Sequence, residues 1–315
     1  METYPTGGFV SVLVRTTNLW RLWSLVRLTW PDRWRAATHR RLSRVFEAAR
    51  RVPIDNHSRL IFFSDHHRGD GGRADVFAAN EALFLHALDR YYEAGFTYVE
   101  VGDGDDLWQN RRFASIREAH GQTFELLHRF ALEDRLHMVI GNHDMLGYRH
   151  NWREKDGLEV EEALVLEHTP SGQEILVVHG HQADVTSDRF CFFGRLLVRY
   201  VWKRLKLLGL TRPRKRRRGY QRATQIERRL ASWAAMNGLL VLCGHTHRPA
   251  FPRHQAGQYL NAGSCVRPGH ITGLELQAGA ITLVRWSTDP SSGAGRCIQR
   301  TPLLPTREVG WFGRR

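Results

Sequence analysis

The run Gly238-Leu239-Leu240-Val241-Leu242-Cys243-Gly244-His245-Thr246-His247-Arg248-Pro249 decides how the rest of the chain is read. Its first five residues are apolar and read as a buried strand. Two histidines follow at i and i+2. In extended backbone alternate side chains share a face, so both imidazoles can point at one place. A lone His-x-His pair is a weak signal. It gains weight because four other clusters of Asp, Asn and His stand earlier in the chain, each behind an apolar run.

Working back, residues 59–64 (Arg-Leu-Ile-Phe-Phe-Ser) read as a strand buried on both faces, and Asp65-His66-His67 follows. Asp75 reads as a helix N-cap, with Phe77, Phe84, Leu88 and Tyr91 at helical spacing and Gly95 closing the helix. A strand over 97–101 leads into Gly102-Asp103-Gly104-Asp105-Asp106. A helical stretch over 113–132 precedes a strand at 136–140, which ends in Gly141-Asn142-His143-Asp144. Residues 159–168 and 173–178 read as a hairpin whose second strand ends in His179-Gly180-His181. Strand, motif, helix, strand is the signature of stacked βαβ units, whose ligand residues gather at the C-terminal strand ends. The clusters can therefore converge on one site.

Between the fourth and fifth clusters lies an insertion over 185–237. It reads as two helices, about 187–208 and 221–236, flanking Arg212-Pro213-Arg214-Lys215-Arg216-Arg217-Arg218. Short strands follow at 258–264, 271–276 and 281–286. Residues 289–315, rich in Gly, Ser, Pro and Arg, read as a flexible basic tail. The N-terminal 1–55 form a basic extension in which Trp20, Trp23, Leu25 and Leu28 mingle with Arg21, Arg27 and Arg33. Two readings fit it: helices packed on the main domain, 56–288, or a segment lying in a membrane interface.

The chain has 315 residues, 42% of them hydrophobic, enough for one large α/β domain or two small ones. A formal net charge of +14 calls for an anionic partner: nucleic acid, an anionic membrane surface or a phosphorylated substrate. The four cysteines, Cys191, Cys243, Cys265 and Cys297, include no CxxC pair. That argues against a disulfide framework or structural zinc and suits a cytoplasmic protein. There is no signal-peptide pattern and no apolar run near the roughly 18 to 20 residues of a spanning helix, so a soluble or peripheral protein is expected.

The clusters offer carboxylate oxygens, an amide oxygen and imidazole nitrogens but no thiolate, a set that suits Mn, Fe or Zn. Two divalent ions need a shared anionic ligand, and Asp103 is the natural bridge. Asp65-x-His67, Gly102-Asp103-x-x-Asp106, Gly141-Asn142-His143-Asp144, His179-Gly180 and Gly244-His245-x-His247, in this order, resemble the signature motifs of the calcineurin-like metallophosphoesterase superfamily. The resemblance spans about 59–286. It implies an α/β/β/α sandwich with a helical lid insertion. It also implies two divalent ions, manganese foremost: one on Asp65, His67, Asp103 and His247, the other on Asp103, Asn142, His179 and His245. A metal-bound hydroxide would then attack phosphorus, with His143 as proton donor or phosphoryl clamp. Asp106 or Asp144 would orient His143, and the sequence leaves that choice open. His66 is expected to face away. His181, Arg248 and Asn261 are expected near substrate rather than on metal.

The layout, with Gly-His-Thr-His-Arg-Pro behind a helical insertion, is similar to that of UDP-2,3-diacylglucosamine pyrophosphohydrolases. That similarity implies a nucleotide-diphospho-lipid substrate at a membrane surface. One departure is His143, where those enzymes carry Arg. A nuclease or nucleotide phosphodiesterase, a phosphomonoesterase, and a metal-containing scaffold without turnover are the alternatives. No nucleic-acid-binding motif supports the nuclease.

Overall fold

The computed structural model describes residues 34–145, 154–184, 216–255, 257–289 and 297–312. The N-terminal residues 1–33, the helix expected over 187–208 and residues 212–215 of the basic run lie outside them. The chain divides into two compact units, Met1–Ala37 and Thr38–Arg315. Of the first, residues 34–37 alone are described, as the opening of helix α1 over residues 34–48. The second unit carries all the motifs.

Two sheets frame that unit. One holds β1 (Arg50–Ile54), β7 (Ala163–His168), β8 (Gln173–Val178), β9 (Leu240–Cys243) and β10 (Tyr259–Asn261), in that order. The other runs β13 (Cys297–Pro302), β12 (Ala280–Asp289), β11 (His270–Gln277), β2 (Leu60–Phe63), β3 (Thr97–Val101), β4 (Leu136–Val139), with β14 (Arg307–Glu308) against β12. A separate ribbon pairs β5 (Glu154–Lys155) with β6 (Leu158–Glu159). The helices after α1 are α2 (Glu81–Glu93), α3 (Phe113–Ala119), α4 (Gly121–Leu132) and α5 (Arg216–Asn237).

Period-two alternation sorts the strand residues into three cores. Leu60 and Phe62 of β2 pack with Leu164, Leu166, Ile175, Val177, Leu240 and Leu242 between the sheets. Ile61 and Phe63 face the other way, onto Phe84, Leu88 and Tyr91 of α2 and Leu127 and Phe130 of α4. On the far face of the first sheet, Val165, Leu176, Val178 and Val241 meet Leu42 and Val45 of α1 and Ile226, Leu230 and Trp233 of α5. The order is helix, sheet, sheet, helix, the expected α/β/β/α sandwich. Each such side chain contributes about 1.5–3 kcal/mol by leaving water. Strands β2, β3 and β4 are mutually parallel, and so are β8, β9 and β10. Within each set the C-terminal ends, and the loops that follow them, therefore share one edge.

Several boundaries differ from the sequence reading. The extension placed at 1–55 ends earlier: Leu42 and Val45 are core residues, and β1 pairs in parallel with β7 from Arg50↔Leu164 to Ile54↔His168. Its run of Arg residues masked an edge strand. The tail from 289 is ordered in its described part. β13 covers the flank of β12, and Val309 and Phe312 fill the inter-sheet core. The Gly/Ser-rich composition that prompted the flexible reading belongs to residues 290–296, outside the described residues. Residues 113–132 form two helices, broken at His120. Asp75 does not cap α2, which starts after Asn80. Its carboxylate instead accepts the amides of Gly69, Gly71, Phe77 and Ala78 and meets His120 Nε2 at 2.8 Å.

His120 explains the helix break. Its ring is buried between Asp75 and Glu81, with Nδ1 2.9 Å from Glu81. Burial opposes its charge, but the two carboxylates prevail and raise its pKa from 6.5 to about 9. A raised folded-state pKa stabilises the fold fully below the unfolded value and is lost as pH rises through about 9. His120→Gln is therefore expected to lower the urea midpoint at about pH 6, with the gap from wild type narrowing by about pH 10. A gap independent of pH would mean that the ring acts by shape alone.

Candidate metal centre

Five loops meet at the strand ends. Asp65 and His67 follow β2, Asp103 and Asp106 follow β3, and Asn142, His143 and Asp144 follow β4. His179 and His181 follow β8, and His245 and His247 follow β9. Backbone bonds stitch the loops together: Asp65 N to Gly102 O (3.0 Å), His67 N to Asp103 O (2.9 Å) and Gly244 N to His179 O (3.0 Å). Five residues of this set have left-handed backbone: Asp65 (φ 55), His67 (51), Asp103 (51), His245 (66) and His247 (54). Such conformations cost side-chain-bearing residues about 1–3 kcal/mol each and persist only where the surroundings impose them. Two glycines permit the close approach. A Cβ on Gly141 would lie 2.1 Å from Asp103 N, and one on Gly244 would lie 1.8 Å from Ser64 Oγ.

The candidate ligand atoms fall into three groups, Asp65 with His67 and His247, His67 with Asp106 and His143, and Asp103 with His179 and His245, each set lying within 4.8 Å. In Asp65, Asp103 and His179 the other polar atom is already used. Asp65 Oδ2 accepts from Ser64 Oγ (2.7 Å) and His245 N (2.8 Å), leaving Oδ1 3.2 Å from His247 Nε2. Asp103 Oδ1 accepts from His143 N (2.8 Å), while Oδ2 lies 3.2 Å from His179 Nε2 and 3.7 Å from His67 Nε2. His179 Nδ1 donates to Val101 O at 2.8 Å, which fixes the tautomer and turns Nε2 inward. Asp65 Oδ1, Asn142 Oδ1 and His179 Nε2 are buried and make no hydrogen bond among the described residues.

Burial alone would raise both carboxyls and discharge the rings. The surrounding imidazoles hold Asp65 and Asp103 below the usual carboxylate range instead. The carboxylates in turn lift His67 and His179 to about 9, whereas burial takes His247 down to about 4. His67 Nε2 and His247 Nε2 face each other at 3.2 Å. A field that holds protons on converging ring nitrogens will hold a divalent cation in their place. Orphaned oxygens, inward nitrogens and the absence of thiolate fit Mn, Fe or Zn.

Around these groups, His143 Nδ1 meets Asp106 Oδ1 at 3.1 Å, and Gln109 holds Asp106 through its backbone amide and its side-chain amide. Asp144 points elsewhere: its two oxygens accept Asp105 N and Gly141 N, both at 2.8 Å. The partner of His143 is therefore Asp106. His66 packs away from the loops against Phe77 and Phe84, and burial drives its pKa to about 3. His181 is buried with its ring 5.6 Å from that of His179 and belongs to none of the three ligand groups. Arg248 pairs with Glu227 (3.2 Å), donates to Thr224 and lies over the Tyr220 ring, all on α5. Asn261, expected near substrate, is fully buried. Its Nδ2 donates to Gly244 O (2.6 Å) and its Oδ1 accepts Gly263 N (2.8 Å), so it pins the last loop instead.

Three features escaped the sequence reading. Arg68 is fully buried, donating to both Glu100 oxygens (2.8 Å) and to Asp105 Oδ1 (2.7 Å), and Lys155 Nζ lies 2.7 Å from Asp105. This cluster ties the loops after β2 and β3 to the β5–β6 ribbon. Glu100 inside an apolar strand was the available clue, since a buried carboxylate demands a partner. Asp184 links His245 Nε2 (3.3 Å) to Arg222 of α5. Trp108, two residues past Asp106, stacks on the His143 ring.

Residues 59–279 match the calcineurin-like phosphoesterase superfamily domain, and the chain belongs to that superfamily. Among solved structures it is similar to vacuolar protein sorting 29 of Cryptosporidium parvum, at 13% identity over 79% of this chain and 98% of that one, TM-score 0.41. It is also similar to the cold-active protein tyrosine phosphatase of a Shewanella species, at 16% identity over 80% and 82%, TM-score 0.37. No curated protein matches the chain significantly.

Proposed function

We propose that this protein is a phosphoesterase that cleaves a phosphodiester or pyrophosphate with two divalent ions. Asp65, His67, Asp103 and His247 would hold one ion, and Asp103, Asn142, His179 and His245 the other. The observation that carries the reading is the ligand groups built on Asp65 and on Asp103, with unpartnered buried atoms on Asp65, Asn142 and His179. Bound divalent ions supply electrophilic stabilisation of the phosphoryl oxygens and activation of water. The chain's own share is to place Asp103 between the two groups and to present His143, oriented by Asp106, as proton donor to the leaving oxygen. The net charge of +14 suits an anionic substrate. The layout of the last motif behind a helical insertion supports a nucleotide-diphospho-lipid at an anionic membrane surface, with residues 1–33 as the contact segment.

Manganese-loaded protein is expected to hydrolyse bis(4-nitrophenyl) phosphate faster than 4-nitrophenyl phosphate, and chelation should abolish both reactions. Preference for the monoester would move the protein to the phosphatases. Full metal occupancy without turnover of either would leave a metal-containing scaffold.

A further inference from the structure

We propose that Trp108 is a positioning residue for the proton donor, clamping the His143 ring so that Nε2 alone meets the leaving group. The inference rests on the hydrolase reading above. The indole and imidazole rings are stacked, with centroids 4.2 Å apart and planes 15° from parallel. The indole is itself fixed, because Nε1 donates to the backbone carbonyl of Asn142 at 2.6 Å. One side chain from the loop after β3 thus grips two successive residues of the loop after β4. The neighbouring Leu107 adds a backbone bond to His143 O at 3.1 Å and is itself buried.

The other restraints on His143 do not fix its plane. Nδ1 is tied to Asp106 at 3.1 Å, and one hydrogen bond lets a ring pivot about its own axis. The perpendicular contact with His67, 4.6 Å between centroids at 89°, is a single contact between edge and face. A flat aromatic surface stacked on the ring removes the pivot, and the His143 side chain keeps 21% of its surface exposed. A branched aliphatic side chain would fill part of that space without imposing a plane. Proton transfer is sensitive to such placement, since a displacement of about 1 Å can cost on the order of 100-fold.

The test compares Trp108→Leu and Trp108→Phe on bis(4-nitrophenyl) phosphate and on diphenyl phosphate, whose more basic leaving group needs the proton more. Trp108→Leu is expected to lower kcat on diphenyl phosphate by roughly 10- to 100-fold, with KM and metal content little changed and a smaller loss on the nitrophenyl ester. Trp108→Phe, which keeps a flat face, should recover most of the rate. In a His143→Ala background Trp108→Leu should cost nothing further. Equal losses on the two substrates, or an additive loss on top of His143→Ala, would reduce Trp108 to packing. A second readout needs no turnover. In zinc-loaded protein the His143 ring protons, assigned by their absence in His143→Gln, should resonate upfield and move downfield in Trp108→Leu. Unmoved resonances would overturn the clamp. Wild-type inactivity on both diesters would instead count against the hydrolase reading, with the ring arrangement still decided by the resonances.

Discussion

Replacing His143 by Ala is expected to leave both divalent ions bound and to slow diester hydrolysis by roughly 100- to 10,000-fold, the usual contribution of a placed general acid. The geometry gives this side chain partners of its own. Its Nδ1 is committed to Asp106, and its ring contacts those of Trp108 and His67. It stands outside the groups that carry Asp65 and Asp103 but forms a third candidate ligand group with His67 and Asp106. Elemental analysis of the variant therefore has to accompany the kinetics. Wild-type rates would remove His143 from the mechanism, and loss of metal would make it a ligand. The deficit should be greatest on esters with basic leaving groups.

Asp103→Ala is expected to do more, lowering the metal content of both sites and the rate together. Asp103 is the carboxylate that reaches both groups, with Oδ2 3.2 Å from His179 Nε2 and 3.7 Å from His67 Nε2. Its other oxygen receives the His143 amide at 2.8 Å, so the same residue fixes the loop bearing Asn142 and His143. Without this anion two cations would face each other unscreened in a buried site, where the effective dielectric is low. Asp103→Asn keeps the shape and removes the charge, and should fail in the same way. Stoichiometric binding of two ions by either variant would show that Asp103 is not the bridge.

The parts of the fold legible in the sequence were those whose side chains have one environment. Residues 60–63 and 239–242 are apolar throughout because both faces of their strands are covered, and each run points directly at its motif. The motifs were legible because Asp and His at strand ends have no packing reason to cluster. What stayed hidden depends on tertiary partners. Asn261 looks like a substrate contact in a Gly-rich turn, but only the folded chain brings Gly244 O to its amide. Asp106 and Asp144 are equivalent by spacing, and they part company because backbone amides of neighbouring loops consume Asp144. The clamp by Trp108 is of the same kind, an indole in a loop without periodicity to mark its direction. The strand of residues 297–302 is itself largely exposed, and it pairs with a long neighbour that local composition does not reveal.

The most direct measurement is the metal content of the intact chain. Protein stripped with chelator, dialysed against manganese and freed of excess is to be analysed for ions per chain, beside Asp65→Ala and His179→Ala. The account predicts two ions in wild type and one lost from each variant, with either loss abolishing diester hydrolysis. A single ion in wild type, or two retained after removal of either ligand, would contradict a dinuclear centre built by these five loops.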